Sequence, residues 1–229
     1  MTEFVKGDVV YENPLSGPDD VKDFIAEGQP ITSFPMGAMR LENAMDPEEG
    51  QAANYLFWCP QKMPADISIE WDFRPIREPG LAMLWFCADG QGGKDLFDPS
   101  LAKRAGEYKQ YHSSDINGYH ASYFRRKNVK WERTFHTCNM RKSAGFHLVT
   151  QGPDPIPSVI DVQDSYHIEV IKCGGTIRFS VNDLQVFQWQ DPGEGQTGPI
   201  LGEGYIGFRQ MAPLIADYAN LVVREVRQG

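Results

Sequence analysis

The sequence contains little cysteine, and its few cysteines are scattered. Cys59, Cys87, Cys138 and Cys173 form no CxxC pair, which argues against a zinc knuckle or a thioredoxin-like redox motif. Each lies among apolar or strand-forming residues. We therefore predict buried, reduced thiols rather than disulfides.

Long apolar runs are missing as well. The longest run, residues 81–88, is far too short to cross a bilayer. Residues 1–8 contain Glu3 and Asp8 and lack the apolar core of a signal peptide. We therefore predict a cytoplasmic protein that has no membrane partner.

The motifs of common nucleotide and metal enzymes are absent from the sequence. It has no HExxH, P-loop, GxGxxG or GxSxG pattern, which argues against zinc proteases, NTPases, Rossmann enzymes and α/β-hydrolases. An acidic loop with Asp46, Glu48 and Glu49 lacks the spacing of a calcium-binding loop. We predict no cofactor and no metal. A structural calcium ion bound by this loop is the alternative.

The chain also lacks an excess of basic residues. Its net charge of −9 argues against nucleic acid as a partner. Between Lys103 and Lys142, however, ten Lys or Arg accompany only three Asp or Glu, and three of the five histidines lie there. Such a region on an acidic protein suits a small anionic ligand. A solvated basic surface would produce the same pattern.

Strand patterns dominate what is present. In residues 66–74 every second side chain is apolar, which is typical of a half-buried strand, and Pro75 is expected to end it. Gly174-Gly175 and Asn182-Asp183 are tight-turn pairs. The pattern predicts a single all-β domain over 1–229, either a sandwich or a barrel. Strands are predicted at 4–12, 31–34, 39–42, 54–59, 66–74, 81–88, 119–126, 145–150, 166–173, 176–181, 185–189, 205–209 and 216–226, with one helical turn at 99–104.

Several sequence blocks resemble the YesU-like bacterial proteins, a family of unknown function. From about residue 20 onward they cover nearly the whole chain: Arg40–Asn43, Ile69–Phe73, Arg77–Met83, Tyr108–His112, Tyr123–Lys127 and Gly207–Pro213. The resemblance implies a two-sheet antiparallel β-sandwich, the concanavalin A-like jelly roll, and a bacterial origin. Because such proteins tend to accompany pectin and rhamnogalacturonan breakdown, it also implies a saccharide ligand. It supplies no catalytic residues.

Glu70 and Asp72 are one candidate catalytic pair. In a strand they lie on the same face, about 7 Å apart, which suits the two carboxylates of a glycoside hydrolase. Laminarinase-like glucanases of this fold carry Glu-x-Asp-x-Glu, but Arg74 stands where the last Glu is expected. Arg74 would hold neighbouring carboxylates ionised, which disfavours a general acid. An ordinary charged strand face is the alternative.

The basic stretch offers a second chemistry, β-elimination on a uronic acid. This reaction needs a cation or amide to neutralise the carboxylate and a Tyr, His or Lys to move the C5 proton. The proton-transfer candidates are His112, His120 and Tyr123, and the carboxylate-binding candidates are Arg125, Asn139, Arg141 and Lys142. Alternation places Tyr119, Tyr123 and Arg125 on one strand face and His120, Ser122, Phe124 and Arg126 on the other. The same residues would suit recognition without catalysis or a structural network.

Two further patterns concern sugar contacts. Tyr205 and Arg209 flank Gly207 on one strand face, where a glycine gap could admit a sugar ring, or could simply tolerate a bend. Residues 105–110 match the Ala-Gly-x-Tyr-x-Gln motif of jelly-roll alginate lyases. In those enzymes the motif lies late in the chain with two companion motifs. Neither companion is present here, so we treat the match as coincidence.

The resemblance implies a carbohydrate-active protein, and the residue patterns above are the candidates for its chemistry. We expect it to process uronic-acid-containing oligosaccharides by hydrolysis or β-elimination, with non-catalytic, lectin-like binding as the alternative. A single groove is expected to bring Glu70, Asp72 and Arg209 together with the basic stretch. The predicted partner is an anionic saccharide. A homodimer is also compatible with the sequence.

Overall fold

A computed structural model describes residues 3–126 and 136–229. Strands make up most of the regular structure, and the α-helices within these residues are single turns. The strands are β1 Phe4–Asn13, β2 Ile25–Glu27, β3 Pro30–Ser33, β4 Met39–Asn43, β5 Tyr55–Trp58, β6 Ile67–Arg77, β7 Gly80–Gly90, β8 Ile116–Arg126, β9 Thr137–Ser143, β10 His147–Pro153, β11 Tyr166–Cys173, β12 Thr176–Val181, β13 Leu184–Gln190, β14 Tyr205–Met211 and β15 Ile215–Gln228. The helices are α1 Pro18–Val21 and α2 Lys109–His112, with 3₁₀ turns at Pro35–Gly37, Pro47–Ala53, Gln91–Gly93, Val159–Asp161 and Gly195–Thr197.

The strands form two antiparallel sheets. The eight-stranded sheet has the order β13-β12-β11-β6-β15-β4-β3, with β1 paired to the C-terminal part of β15. The seven-stranded sheet has the order β10-β9-β8-β7-β14-β5-β2. Consecutive strands are neighbours in β7-β8-β9-β10 and in β11-β12-β13, whereas pairs such as β6-β15 and β7-β14 join distant parts of the chain. The prediction of an all-β, two-sheet antiparallel sandwich is confirmed.

The core lies between the sheets and is rich in aromatic rings. In β6, alternate residues Ile69, Trp71 and Phe73 are buried, as the period-two pattern predicts. Trp71 and Phe73 both pack against Tyr123 from the other sheet, with ring centroids 5.7 and 5.0 Å apart. Tyr218 of β15 packs edge-on against Phe73 at 5.4 Å. Each such side chain contributes about 1.5–3 kcal/mol by leaving water, so this cluster joins the sheets.

Some local expectations are wrong. Residues 99–104 form no helix, and the turn of α-helix lies instead at Lys109–His112. Pro75 does not end its strand, which continues to Arg77. Pairing of β6 with β11 stops at Phe73. Beyond that point β6 has no strand partner on this edge, so Pro75 can lack an N–H group without losing a hydrogen bond to β11. Strands β2 and β9 were not predicted, β9 because it mixes Cys138 and Met140 with charged residues on both faces.

Candidate functional site

The candidate site lies on the outer face of the seven-stranded sheet. Residues 91–115, here called the cover segment, cross this face and bury a second apolar cluster against it. In this cluster Leu96 and Tyr111 of the cover segment join Trp58 and Trp85 of the sheet, and all four are fully buried. The cluster stabilises one half of the outer face and leaves the half over β8 and β9 open for a ligand.

A pocket of about 170 Å³ opens beside the cover segment. We call it the guanidinium pocket because two arginines, Arg125 and Arg141, line it. Its walls come from β7, β8, β9 and β14, from the cover segment, and from the β9–β10 turn. The lining residues are Gln51, Leu81, Met83, Tyr108, Ser122, Arg125, Asn139, Arg141, Phe146 and Met211.

Arg141 is held in place on the pocket wall. Its guanidinium stacks over the half-exposed ring of Phe146, with Cζ 3.7 Å from the ring centroid, and Nη1 donates to the Phe146 carbonyl at 2.9 Å. Partial burial lowers its pKa, but a guanidinium stays protonated at neutral pH. Asn139 Oδ1 accepts hydrogen bonds from Gln151 and Thr137. The side-chain N–H groups of Asn139 are therefore what it can offer a ligand.

Tyr108 and His120 form a hydrogen-bonded pair at the edge of the pocket. The distance from Tyr108 Oη to His120 Nε2 is 2.6 Å. The His120 ring stacks on Trp85 with centroids 4.1 Å apart, and its Nδ1 has no hydrogen-bond partner among the described residues. Burial, with the nearby charges of Arg141 and Arg209, lowers the pKa of His120 well below its usual value. His120 is therefore neutral at physiological pH.

The environment of Tyr108 acts on its phenol in two opposite directions. Burial raises the pKa of Tyr108 to about 12, while the charges of Arg209, Arg141 and Arg125 act to lower it. Ring contacts fix its position: Phe146 lies at 5.5 Å and His112 at 4.7 Å between centroids. Once ionised, this phenolate would be a strong base held beside three guanidinium groups.

Three of the predicted ligand-binding residues, Arg125, Asn139 and Arg141, do line one pocket. His120 contacts it through Tyr108. His112 borders it, with its ring 4.4 Å from that of Phe146, and burial followed by the charge of Arg141 lowers its pKa. Residues 127–135, which hold part of the basic stretch, lie outside the described residues.

The predicted face assignment on β8 holds as far as Tyr123 and is wrong from Phe124 onward. Tyr123 lies in the sandwich core, fully buried, and its hydroxyl accepts a hydrogen bond from Trp71 Nε1 at 3.2 Å. Phe124 adopts a left-handed backbone with φ of 46° and is buried in the core as well. This irregularity breaks the alternation, so Arg125 faces the pocket while Tyr123 does not. Tyr123 therefore does not contact a ligand in the guanidinium pocket.

The expectation of a single groove is also wrong. Glu70 and Asp72 lie on the outer face of the eight-stranded sheet, across the sandwich from the guanidinium pocket. Glu70 accepts from Lys6 Nζ at 2.9 Å, and Asp72 is bound by Asn220 and His167 at 2.7 and 3.1 Å. Alternation in β6 correctly put both carboxylates on one face, but the sequence does not show which sheet that strand joins.

If a reaction takes place in the guanidinium pocket, we expect E70Q and D72N to leave its rate unchanged, because neither carboxylate reaches that pocket. If they acted as an acid–base or acid–nucleophile pair, each substitution would lower kcat by about 10²- to 10⁴-fold. Steady-state kinetics on the two variants distinguishes these outcomes. Circular dichroism spectra that match the wild type serve as the control for folding.

The remaining predicted ligand-binding residues lie elsewhere. Lys142 is buried on the core side, where its Nζ lies 2.6 Å from Asp191. Tyr205 donates to Asp95 at 2.9 Å and packs on Phe97, near the far end of the cover segment. Arg209 is fully buried beneath Tyr108 and Tyr111. None of the three lines the guanidinium pocket.

The sequence interpretation missed Tyr108 and Phe146 as site residues. The six-residue match at 105–110 did indicate Tyr108, and the missing companion motifs were the reason to set it aside. Phe146 follows a left-handed Gly145 in the β9–β10 turn, and no motif marks it. Because β9 was not predicted, its turn to β10 could not be placed beside Tyr108.

Comparison with known proteins gives the family. The family model described as "Domain of unknown function (DUF1961)" matches residues 8–223. This chain belongs to the DUF1961 family. "Uncharacterized protein YesU" of Bacillus subtilis (strain 168) is 47% identical over 222 residues, which are 97% of this chain and 98% of that protein. The resemblance to YesU-like proteins is therefore confirmed.

Solved structures show the same fold. A crystal structure of a "protein of unknown function with galectin-like fold" from Bacillus subtilis superposes with a TM-score of 0.92 at 47% identity, covering 98% of this chain and 99% of that chain. LamA from Z. galactanivorans, in complex with laminaritriose and laminaritetraose, superposes at 0.62 with 8% identity, covering 96% of this chain and all of that chain. At such low identity the second likeness shows the fold alone.

The described part of the chain has neither a membrane-spanning helix nor a metal-binding cluster. Among residues 3–126 and 136–229, neither helix has the length and apolar character needed to span a bilayer. Within the same ranges, no group of three or more His, Cys, Asp or Glu is arranged to hold a metal ion. The acidic loop at Asp46 instead caps the 3₁₀ turn Pro47–Ala53, where the Asp46 carboxylate accepts from the Glu48 backbone N–H.

Proposed function

We propose that this DUF1961 protein cleaves uronic-acid-containing oligosaccharides by β-elimination in the guanidinium pocket. The observation that supports this most directly is the placement of Tyr108, hydrogen-bonded to a neutral His120, on the same pocket as Arg125 and Arg141. These residue types are the two components that the reaction needs: a proton-transfer group and cations for the substrate carboxylate.

The proposed reaction proceeds in balanced steps. Arg125 and Arg141 pair with the uronate carboxylate and stabilise the charge that develops on it when the C5 proton is removed. The Tyr108 phenolate takes this proton. The bond from C4 to the leaving oxygen then breaks, a C4–C5 double bond forms, and the phenol returns a proton to the leaving oxygen. Neutral His120, with its proton on Nε2, donates a hydrogen bond to the phenolate.

Elimination fits the pocket better than hydrolysis by two carboxylates. The described lining of the pocket contains no Asp or Glu. A glycoside hydrolase of the usual kind needs two carboxyl groups on either side of the scissile bond. The predicted pair, Glu70 and Asp72, lies on the opposite sheet. We therefore propose elimination rather than hydrolysis.

The proposed ligand class rests on charge and on fold. The paired guanidinium groups favour an anionic ligand, and the rings of Phe146 and Tyr108 give a sugar an apolar wall. LamA, which shares the fold, has been crystallised with laminari-oligosaccharides. Fragments of pectin and rhamnogalacturonan are the substrates that we propose. All four cysteines are unpaired, in keeping with the cytoplasmic location that we include in the proposal.

A turnover assay on pectin-derived oligosaccharides tests this function. We expect cleavage products whose summed mass equals that of the substrate and whose new double bond absorbs in the ultraviolet. Matched oligosaccharides with their carboxyl groups reduced to alcohols should give no product, because Arg125 and Arg141 then have no anion to hold. Products heavier by one water would contradict elimination.

Loss of either pocket guanidinium should weaken binding of acidic saccharides. We expect R125Q and R141Q each to raise the Kd for a uronate oligosaccharide by about 10- to 100-fold, since a hydrogen bond to a charged group contributes about 1.5–3 kcal/mol. Calorimetry in a Y108F background measures Kd without turnover. The carboxyl-reduced ligand is the control, and its Kd should not change. An equal loss for both ligands would argue against carboxylate recognition.

Lectin-like binding without turnover is the second candidate function. It is favoured by the high pKa of Tyr108, about 12, which leaves little phenolate at neutral pH. This function predicts that acidic oligosaccharides bind and are recovered intact. The same oligosaccharide panel therefore separates the two candidates.

A further inference from the structure

Arg209 is a buried cation that has no carboxylate partner among the described residues. It lies in β14, is fully buried, and takes part in none of the ion pairs found between described residues. Nη2 donates to the Gly106 carbonyl at 2.7 Å, but Nε and Nη1 have no hydrogen-bond partner among the residues described. A guanidinium buried in this way loses its hydration and gains no countercharge in exchange. Such a cost calls for a role beyond packing.

The rings of the cover segment lie over this guanidinium. Arg209 Cζ is 5.0 Å from the Tyr108 ring centroid and 5.8 Å from that of Tyr111. The backbone fixes this arrangement at Gly106, whose φ is +100° and where a Cβ would lie only 1.9 Å from the Asn54 carbonyl oxygen. The Gly106 carbonyl accepts from Arg209, and Tyr108 follows two residues later. The guanidinium and the Tyr108 ring are thus fixed against each other.

We propose that Arg209 is a positioning residue that stabilises negative charge on Tyr108 during the reaction. This inference rests on the proposed function, in which Tyr108 becomes a phenolate. The negative charge of a phenolate spreads into its ring, so a cation held against the ring stabilises the ionised form. Arg209 does not contact substrate, because the cover segment encloses it.

Arg125 and Arg141 do not duplicate this role. They line the open pocket, so a bound uronate carboxylate neutralises their effect on Tyr108 at the moment when the base is needed. Arg209 lies beneath the rings of Tyr108 and Tyr111, where a ligand carboxylate does not reach it. Its charge therefore continues to act on Tyr108 in the substrate complex. Arg125 and Arg141 therefore bind the substrate, whereas Arg209 stabilises the ionised form of Tyr108.

Ionisation of Tyr108 can be measured directly in the absence of substrate. Tyrosine is replaced throughout by difluorotyrosine, whose phenol ionises closer to neutral pH, and fluorine NMR follows each phenol during a pH titration. Loss of one signal in Y108F assigns residue 108. We expect R209Q to raise the pKa of this phenol by about one pH unit or more, and R209K to lie closer to the wild type. An unchanged titration in a folded R209Q protein would overturn the inference.

Kinetics gives the second readout. At a fixed pH below the phenol pKa we expect R209Q to lower kcat about tenfold with KM unchanged, because one pH unit in the base is a tenfold change in phenolate. R209K should recover part of this loss. A rise in KM instead would assign Arg209 to substrate binding and overturn the inference.

The two readouts separate the inference from the proposed function. If the phenol pKa rises in R209Q and the wild-type protein cleaves no oligosaccharide, the pairing of Arg209 with Tyr108 is supported and elimination is rejected. If the wild type cleaves by elimination and R209Q changes neither the phenol pKa nor kcat, the proposed function stands and the role of Arg209 is rejected.

Discussion

Replacing Tyr108 by phenylalanine is expected to lower kcat by about 10²- to 10⁴-fold, the usual contribution of a positioned proton-transfer group. The substitution removes the phenol oxygen that would take and return the proton, and keeps the ring that packs on Phe146 and His112. Binding of the substrate should survive, because Arg125 and Arg141 are untouched. Steady-state kinetics on acidic oligosaccharides, with Kd from calorimetry, measures both effects.

Tyr205 provides a matched control for this experiment. Burial and its bond to Asp95 raise the pKa of Tyr205 to about 12, as high as that of Tyr108, but its hydroxyl lies outside the guanidinium pocket. Y205F removes the same atom from a tyrosine whose pKa is equally high, and it should retain wild-type kcat. Equal losses in Y108F and Y205F would mean that the hydroxyl groups act on stability rather than on proton transfer.

The pH dependence of the reaction follows from the same two groups. Below the phenol pKa of about 12, the fraction of Tyr108 present as phenolate falls tenfold for each pH unit, so kcat/KM should rise with pH over the range in which the protein is folded. His120 adds no break near its ordinary pKa, because burial and the arginine charges lower that pKa well below it. A profile that declines towards alkaline pH would contradict a phenolate base.

The sandwich fold could be predicted because its signals are local. Alternation in β6 and the turn pairs between β11, β12 and β13 are visible within a few residues, and those strands lie where the pattern predicts them. The two missed strands lack such a signal. β2 has only three residues, and β9 carries polar side chains on both faces because Lys142 points into the sandwich edge. Tertiary context overrides propensity in both strands.

The site could be predicted only in part. Arg125, Asn139 and Arg141 were identified by residue type, and their strands β8 and β9 happen to be adjacent. The left-handed Phe124 puts Arg125 on the face opposite Tyr123, and the residue type at position 124 does not predict this conformation. Glu70 and Asp72 could lie near the arginines only if β6 were in the same sheet as β8 and β9. Strand order depends on the whole chain, so a local pattern does not predict it. Tyr108 reaches the pocket through the path of a loop, which periodicity does not describe.

Lys142 was predicted to bind substrate, and its structural surroundings predict a large effect on stability instead. Its ammonium group is 1% exposed and lies 2.6 Å from Asp191, which is itself fully buried. Nζ also donates to the carbonyls of Gly198 and Pro199 at 3.2 and 2.7 Å, and Asp191 accepts a further hydrogen bond from Tyr119 at 2.5 Å. This network ties the loop before β14 to β8 and β9.

We expect K142M to lower the free energy of unfolding by about 3–5 kcal/mol, because it leaves the Asp191 carboxylate buried without its cation. Urea denaturation followed by circular dichroism measures this loss. R141M is the matched control: the adjacent residue points into the pocket, where it hydrogen-bonds the Phe146 carbonyl and stacks on that ring, and its removal leaves no buried countercharge, so the loss should be about 1–2 kcal/mol. Replacing the pair together, as K142M with D191L, should recover much of the stability, since no charge is then left unpaired. Wild-type stability in K142M would instead mean that Lys142 is solvated and available to a ligand, as the sequence alone suggested.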